Sequence, residues 1–248
     1  MRKSLLHNER GNITLFLLGM ISIMFILFMV IINFAKVYAV KEKSFTTSQQ
    51  ASLSATAEFY ERIWDVVAEF DEIDEENLPP EPDPDEESPP EVNPLTKVKI
   101  KVKVSLKEDE LRARYGSEKS ENEIHIDAID EVLADELNAG LGKRRLRQVL
   151  TEQYESRIKP AVIDKARNVI LANGGKLEQA EIALFHDNRI YIKAANEFKG
   201  QGKYLDGFKE KVFQTGAGPE IGFISELGIS DEMISLSDER DAGVIWID

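Results

Sequence analysis

Three histidines, His7, His125 and His186, are the side chains of this chain best placed by type for proton transfer or metal binding near neutral pH. Their spacing supports neither. His125 and His186 are far apart and belong to no His-x-x-x-His ligand pattern, and His186 reads as a turn residue. There is no cysteine, so thiolate chemistry, disulfides and cysteine metal sites are excluded. Gly200-Gln201-Gly202-Lys203 is a fragment of a phosphate loop without its flanking residues, and it reads as a flexible turn. Asp238, Glu239 and Asp241 could pair as acid and base, but carboxylates are so abundant that such pairs arise by chance. A basic cluster, Lys143-Arg144-Arg145 with Arg147, begins a predicted helix, where the helix dipole disfavours it. An ion pair with the preceding helix is the expected compensation. No constellation supports an enzyme, and no cofactor or metal is implied.

The elements that would carry any site start with an apolar helix. Residues 13–35 read ITLFLLGMISIMFILFMVIINFA; fifteen of the twenty-three are Leu, Ile, Phe or Val, and none is charged. As a helix the segment is about 35 Å long, enough to cross a hydrocarbon core of about 30 Å. Ile13, Leu17, Ile21, Phe25, Phe28, Ile32 and Ala35 mark the expected membrane anchor. A cleaved signal peptide is the alternative, with Val37-Tyr38-Ala39 as its small-residue site. Signal-peptide cores run only about 7–15 residues, and Lys36 sits inside that would-be site. Basic flanks are nearly balanced, with Arg2, Lys3 and Arg10 before the span and Lys36, Lys41 and Lys43 after it. The expected topology is a short cytoplasmic N-terminus (residues 1–12) and a large extracytoplasmic C-terminal part.

Residues 36–70 contain neither Pro nor Gly and continue the helical pattern. Small and polar residues in its middle, Ser48, Ala51, Ser52 and Ala55, form a face that a partner helix could approach closely. A solvated stalk is the alternative. Residues 71–96 follow as an acidic, proline-rich linker. Asp71 to Glu91 holds eleven carboxylates and no cation; without them the net charge of −14 falls to −3. Seven of the nine prolines lie here as well, so the segment reads as an extended spacer between membrane and domain. Nucleic-acid binding is disfavoured, because no basic face is available to displace counterions.

Residues 97–248 read as one α+β domain with an antiparallel sheet and two packed helices. Lys97 to Val104 alternates lysine with Val or Ile and predicts a half-buried edge strand. Helices are predicted over 127–139 and 143–172, the second kinked at Pro160 and stopped by Gly174-Gly175. Strands are predicted over 180–185 and 189–194 around a His186-Asp187-Asn188 turn. Further strands are expected over 208–214, 222–227 and 243–247, with a turn at Gly216-Ala217-Gly218-Pro219.

Glu9-Arg10-Gly11-Asn12-Ile13-Thr14-Leu15, the long apolar helix, Tyr38, Lys41, Lys43 and the run Gln49 to Ala57 together resemble the start of TadE/TadG-like proteins of the Tad (Flp) pilus-assembly system. The resemblance covers about residues 8–60. Pilin-like members carry a glutamate five residues after the glycine, where this chain has Phe16. That departure places it nearer the TadG side, whose members keep the anchor. The von Willebrand A-type metal motif found in many such proteins is not supplied by Ser235-Leu236-Ser237-Asp238. The resemblance implies a non-enzymatic accessory or minor component of a pilus or secretion assembly. Its partners would be the membrane and other envelope or pilus-assembly proteins, with a homo-oligomer left open. The alternative is a membrane-tethered ligand-binding or enzymatic domain unrelated to pili.

Overall fold

The computed structural model describes residues 9–72, 99–140, 143–199 and 209–237. Helix α1 (Glu9–Glu72) runs unbroken for 64 residues, about 96 Å at 1.5 Å per residue. Its first half is apolar all round, and Ile13–Ile31 and Phe34 are exposed. Two polar side chains there donate within the helix: Ser22 Oγ to the Leu18 carbonyl (2.8 Å) and Asn33 Nδ2 to that of Met29 (2.9 Å). This arrangement suits hydrocarbon, where no water is at hand.

The second half of α1 is the core of the folded domain. Ala51, Ala55, Phe59, Ile63, Val66 and Val67 are almost fully buried. A four-stranded antiparallel sheet, in the order β3-β2-β1-β4, lies against it. The strands are β1 (Lys176–His186), β2 (Arg189–Lys199), β3 (Lys209–Ala217) and β4 (Glu232–Ser235). Asp187 and Asn188, both at positive φ, form the tight β1–β2 turn, a conformation that Asn and Asp tolerate well. Helix α2 (Ile100–Tyr115) pairs with α3 (Glu121–Ala139), and α4 (Lys143–Gln153) leads into α5 (Lys159–Ala172), which packs along α1. A π turn, Tyr154–Ile158, joins α4 to α5 immediately before Pro160, whose missing N–H disturbs the expected kink site. Ser120 and Glu123 form a reciprocal cap that starts α3 six residues ahead of the predicted boundary.

The α+β class with its antiparallel sheet holds, but several expectations change. Residues 100–104 are helical, not a strand. The alternation hid a second period: Ile100, Val104 and Leu111 are buried on one helical face, while Val102 and Leu106 are exposed. Lys103 and Lys107 meet Glu136 (2.6 Å) and Glu131 (2.7 Å) on α3, a charge match that only the helix presents. Lys97 and Val98 lie outside the described residues. The 222–227 strand is replaced by a turn and the short helix α6 (Ile224–Leu227), closed by Gly228 in the left-handed region. Gly216 and Ala217 extend β3 instead of forming a turn, and β4 was not anticipated. Residues 243–247 lie outside the described residues.

Of the linker expected over residues 71–96, residues 73–96 lie outside the described residues, and Asp71 and Glu72 end α1. The Asp71 carboxylate accepts hydrogen bonds from the backbone N–H groups of Ile100 (3.0 Å) and Lys101 (2.9 Å). It thereby caps the start of α2 from the end of α1. The end of α1 and the start of α2 therefore meet directly. The domain is built around residues 44–72 of α1 as well as the later chain.

Gly216 sets the approach of β3 to α1. A Cβ there would fall 2.4 Å from the Gln49 backbone nitrogen and 2.5 Å from the Ser48 carbonyl carbon, leaving no flexible group to yield. Gly216→Ala is expected to cost about 1–3 kcal/mol of stability, measured by urea unfolding of the detergent-solubilised chain.

Candidate functional site

The expected partner-helix face is already occupied. Ser48, Ala51, Ser52 and Ala55 are buried, with the chain's own strands β2 and β3 and helix α5 packed along α1. Ser48 Oγ donates to the Gln214 carbonyl (2.8 Å) and accepts from the Ala194 N–H (3.2 Å). Ser44 Oγ accepts from the Asn196 N–H (3.0 Å), and Thr47 Oγ1 donates to Asn196 Oδ1 (2.9 Å). Gln49 Nε2 reaches the Ala217 carbonyl (3.1 Å). Small side chains do permit close approach here, as read from sequence. What approaches is strand backbone, because Gly216 and Gly218 present no side chain. Register between β1 and β2 shifts between Lys176 and Glu181, and over the same stretch the serines serve β2 from its helix side.

The residues of the expected anchor lie on the outer, apolar half of α1. Ile13, Leu17, Ile21, Phe25 and Phe28 are exposed, Ala35 likewise, and Ile32 is half-buried. This is a helix long and apolar enough to cross a membrane.

No histidine joins a catalytic set among the described residues. His125 Nδ1 contacts Glu108 (2.5 Å) and its ring meets Trp64 edge-on, tying α2 and α3 to α1. His186 sits at the hairpin turn, 3.5 Å from Asp231. His7, Gly200–Lys203 and Asp238, Glu239 and Asp241 fall outside the described residues. Among the described residues no acidic or histidine cluster could hold a metal ion. The basic cluster finds carbonyls in place of the expected carboxylates. Arg147 donates to Leu137 O (3.1 Å) and Glu226 O (2.9 Å), and Lys143 to Asn138 O (3.4 Å), serving the ends of α3 and α6. Cations are favourable at helix C-termini, which accounts for their placement.

Sequence reasoning missed two polar devices. One is Asp71, described above. The other is Asp130 of α3, which accepts from Tyr60 Oη (2.8 Å) and from the backbone of Gly222 and Phe223. It ties α1, α3 and the α6 loop together. Burial pushes its carboxyl up to about 6, against the opposing pull of these donors. Burial, with Asp130 beside it, holds the Tyr60 phenol well above its usual range. No sequence signal marks Asp130 among forty-five carboxylates; only its place on the buried side of α3 does.

A shallow groove crosses the outer face of the sheet, with a volume of about 400 Å³. Ala183, Tyr191 and Met233 floor it; Glu181, Lys193, His186 and Asp231 rim it. Glu181 and Lys193 pair across it at 3.0 Å.

Against this geometry the comparison with known families is decisive for one part of the chain. Residues 11–58 match the Tad family model, described as Flp pilus-assembly TadE/G-like. No curated protein and no solved structure matches the chain. The TadE/G-like match confirms the resemblance read from the N-terminal motif. It covers the apolar span and the first part of the buried half of α1, including all four small residues of the seam. The TadE/G-like region thus supplies both the membrane anchor and much of the helix around which the remaining chain folds.

Asp130 gives a pH test. Its folded pKa lies above the ordinary 3.8, so the folded state holds the extra proton. The stability this adds is full below about pH 4 and lost as pH rises through about 6. Asp130→Asn removes the titration. Between pH 7 and pH 4 the stability difference should shift in the parent's favour by roughly 2 kcal/mol, read from urea unfolding of both proteins.

Proposed function

We propose that this protein is a non-enzymatic, single-pass envelope component that serves a Tad/Flp-type pilus or secretion assembly as an accessory or minor part. It would act by protein–protein contact, with its N-terminus in the cytoplasm and its α+β domain outside. The observation that carries this reading is the TadE/G-like match over residues 11–58, which coincides with the anchor and the adjoining core helix. The long C-terminal part after the span favours export, since domains of that size translocate largely regardless of flanking charge. With the small-residue face of α1 closed by its own sheet, partners must use other surfaces. The exposed anchor ridge and the outer face of the sheet are two candidates among the described residues.

A second reading, a tethered ligand-binding domain, draws on the sheet groove with Tyr191, Met233 and His186 at its surface. The two readings separate experimentally. The chain has no cysteine, so single-cysteine variants report cleanly. A cysteine at Ser88 should react with a membrane-impermeant maleimide in intact cells, and one at Ser4 only after permeabilisation. Photocrosslinkers placed at Phe25 and at Met233 should recover other pilus-assembly proteins. Recovery of uncrosslinked monomer alone from both positions, or the reverse labelling pattern, counts against the assembly reading or its topology respectively.

A further inference from the structure

We infer that the base of the folded domain is a lipid-contacting collar that rests on the anionic headgroups of the membrane holding the anchor. The inference uses the anchor as membrane-spanning and goes beyond the assembly role. Its first support is distance. α1 continues without a break from Ala35 into the domain, so Lys43 stands only about 12 Å along the axis from the end of the apolar span. Headgroup layers extend roughly 5–8 Å beyond the hydrocarbon on each side, and a lysine side chain bridges much of the remainder.

The strands bring the domain lower still. Ala194 bonds to Ser48 and Asn196 to Ser44, so β2 runs along α1 toward the span. Three further residues lower Lys199 by about 10 Å, to the level of Val37 and Tyr38. Gly174, at the end of α5, lies beside Lys43 Nζ, 3.3 Å from where its Cβ would be. Lys176 follows on β1, in register with Ala195.

Charge and polarity at this end fit a headgroup surface. Lys41, Lys43, Lys176 and Lys199 are exposed and Lys36 is half-buried. Lys36, Lys41, Lys43 and Lys176 have no carboxylate within 4 Å among the described residues, and Lys199 has Glu197 at 3.7 Å. Glu178 is taken by Lys211. Glu42 and Glu210 are the carboxylates here without a lysine partner among the described residues. This end is therefore positive in a chain of net charge −14. Between and above the lysines, Tyr38 (68 % exposed), Phe45 (45 %) and Leu171 (53 %) offer apolar surface at this end of the domain. Aromatic and basic residues together are the composition that favours a membrane interface.

The test uses the full chain with Leu171→Cys as its sole cysteine, labelled with a fluorophore. The protein is reconstituted in phosphatidylcholine vesicles with or without phosphatidylglycerol, each doped with a headgroup-level nitroxide lipid. Quenching should rise about twofold or more with phosphatidylglycerol, each lysine contributing about fivefold to the docked-to-undocked ratio. Lys41→Glu/Lys43→Glu/Lys176→Glu should remove the rise, and the corresponding Gln variant should remove part of it. Lys143→Glu/Arg144→Glu/Arg145→Glu, at the far end, should leave it intact. Quenching independent of lipid charge, or lost equally in the far-end variant, overturns the collar. Resistance of the same chain to carbonate extraction reports the anchor separately.

Discussion

A row of hydroxyls on one helix meeting the backbone of two strands is the contact on which this molecule depends. Ser44, Thr47, Ser48 and Gln49 of α1 bond to Asn196, Ala194, Gln214 and Ala217. The contact is close because both sides are trimmed: alanine and serine on the helix, Gly216 and Gly218 on β3. The buried side chains of Ser44, Thr47 and Ser48 all have partners in the seam, so their polar atoms cost little to bury. Around this seam the apolar layer closes, with Phe59 stacked on Phe223 (6.0 Å) and edge-on to Phe185 (5.3 Å).

The mechanical consequence is that anchor and domain are one body. A helix that ends at the membrane and a domain carried on a spacer could reorient independently. Here the apolar span and the helix on which the sheet packs are one helix, so any tilt of the span tilts the sheet with it. Force or displacement applied to the outer face would reach the lipid without passing through a hinge, since α1 has no Pro or Gly from Met20 to Glu72.

Much of this was legible in the residues, and the failures have physical causes. The apolar span, the α1 continuation, the β1–β2 hairpin and the helix after Asp127 all announce themselves through period and turn chemistry. The π turn sits where Pro160 predicts trouble. Lys97 to Val104 misled because valine alternation and a helical stripe coexist in it; the capping carboxylate of Asp71 and the acidic face of α3 decide between them. Both are distant in sequence. The seam of Ser48, Ala51, Ser52 and Ala55 was recognised as a close-contact surface, but small residues say how near a neighbour can come and not which neighbour it is. Asp130 was invisible for the opposite reason: its chemistry is ordinary, and only the burial created by α1 and the α6 loop makes it unusual.

The Asp71 clasp on Ile100 and Lys101 has an evolutionary reading. Because the two helices are fastened to each other directly, the clasp holds whatever the length of chain that joins them. Enlarging such an excursion twofold adds only about 0.6 kcal/mol of closure entropy. Changes in the length of that connection are therefore compatible with one constant geometry of α1 and α2.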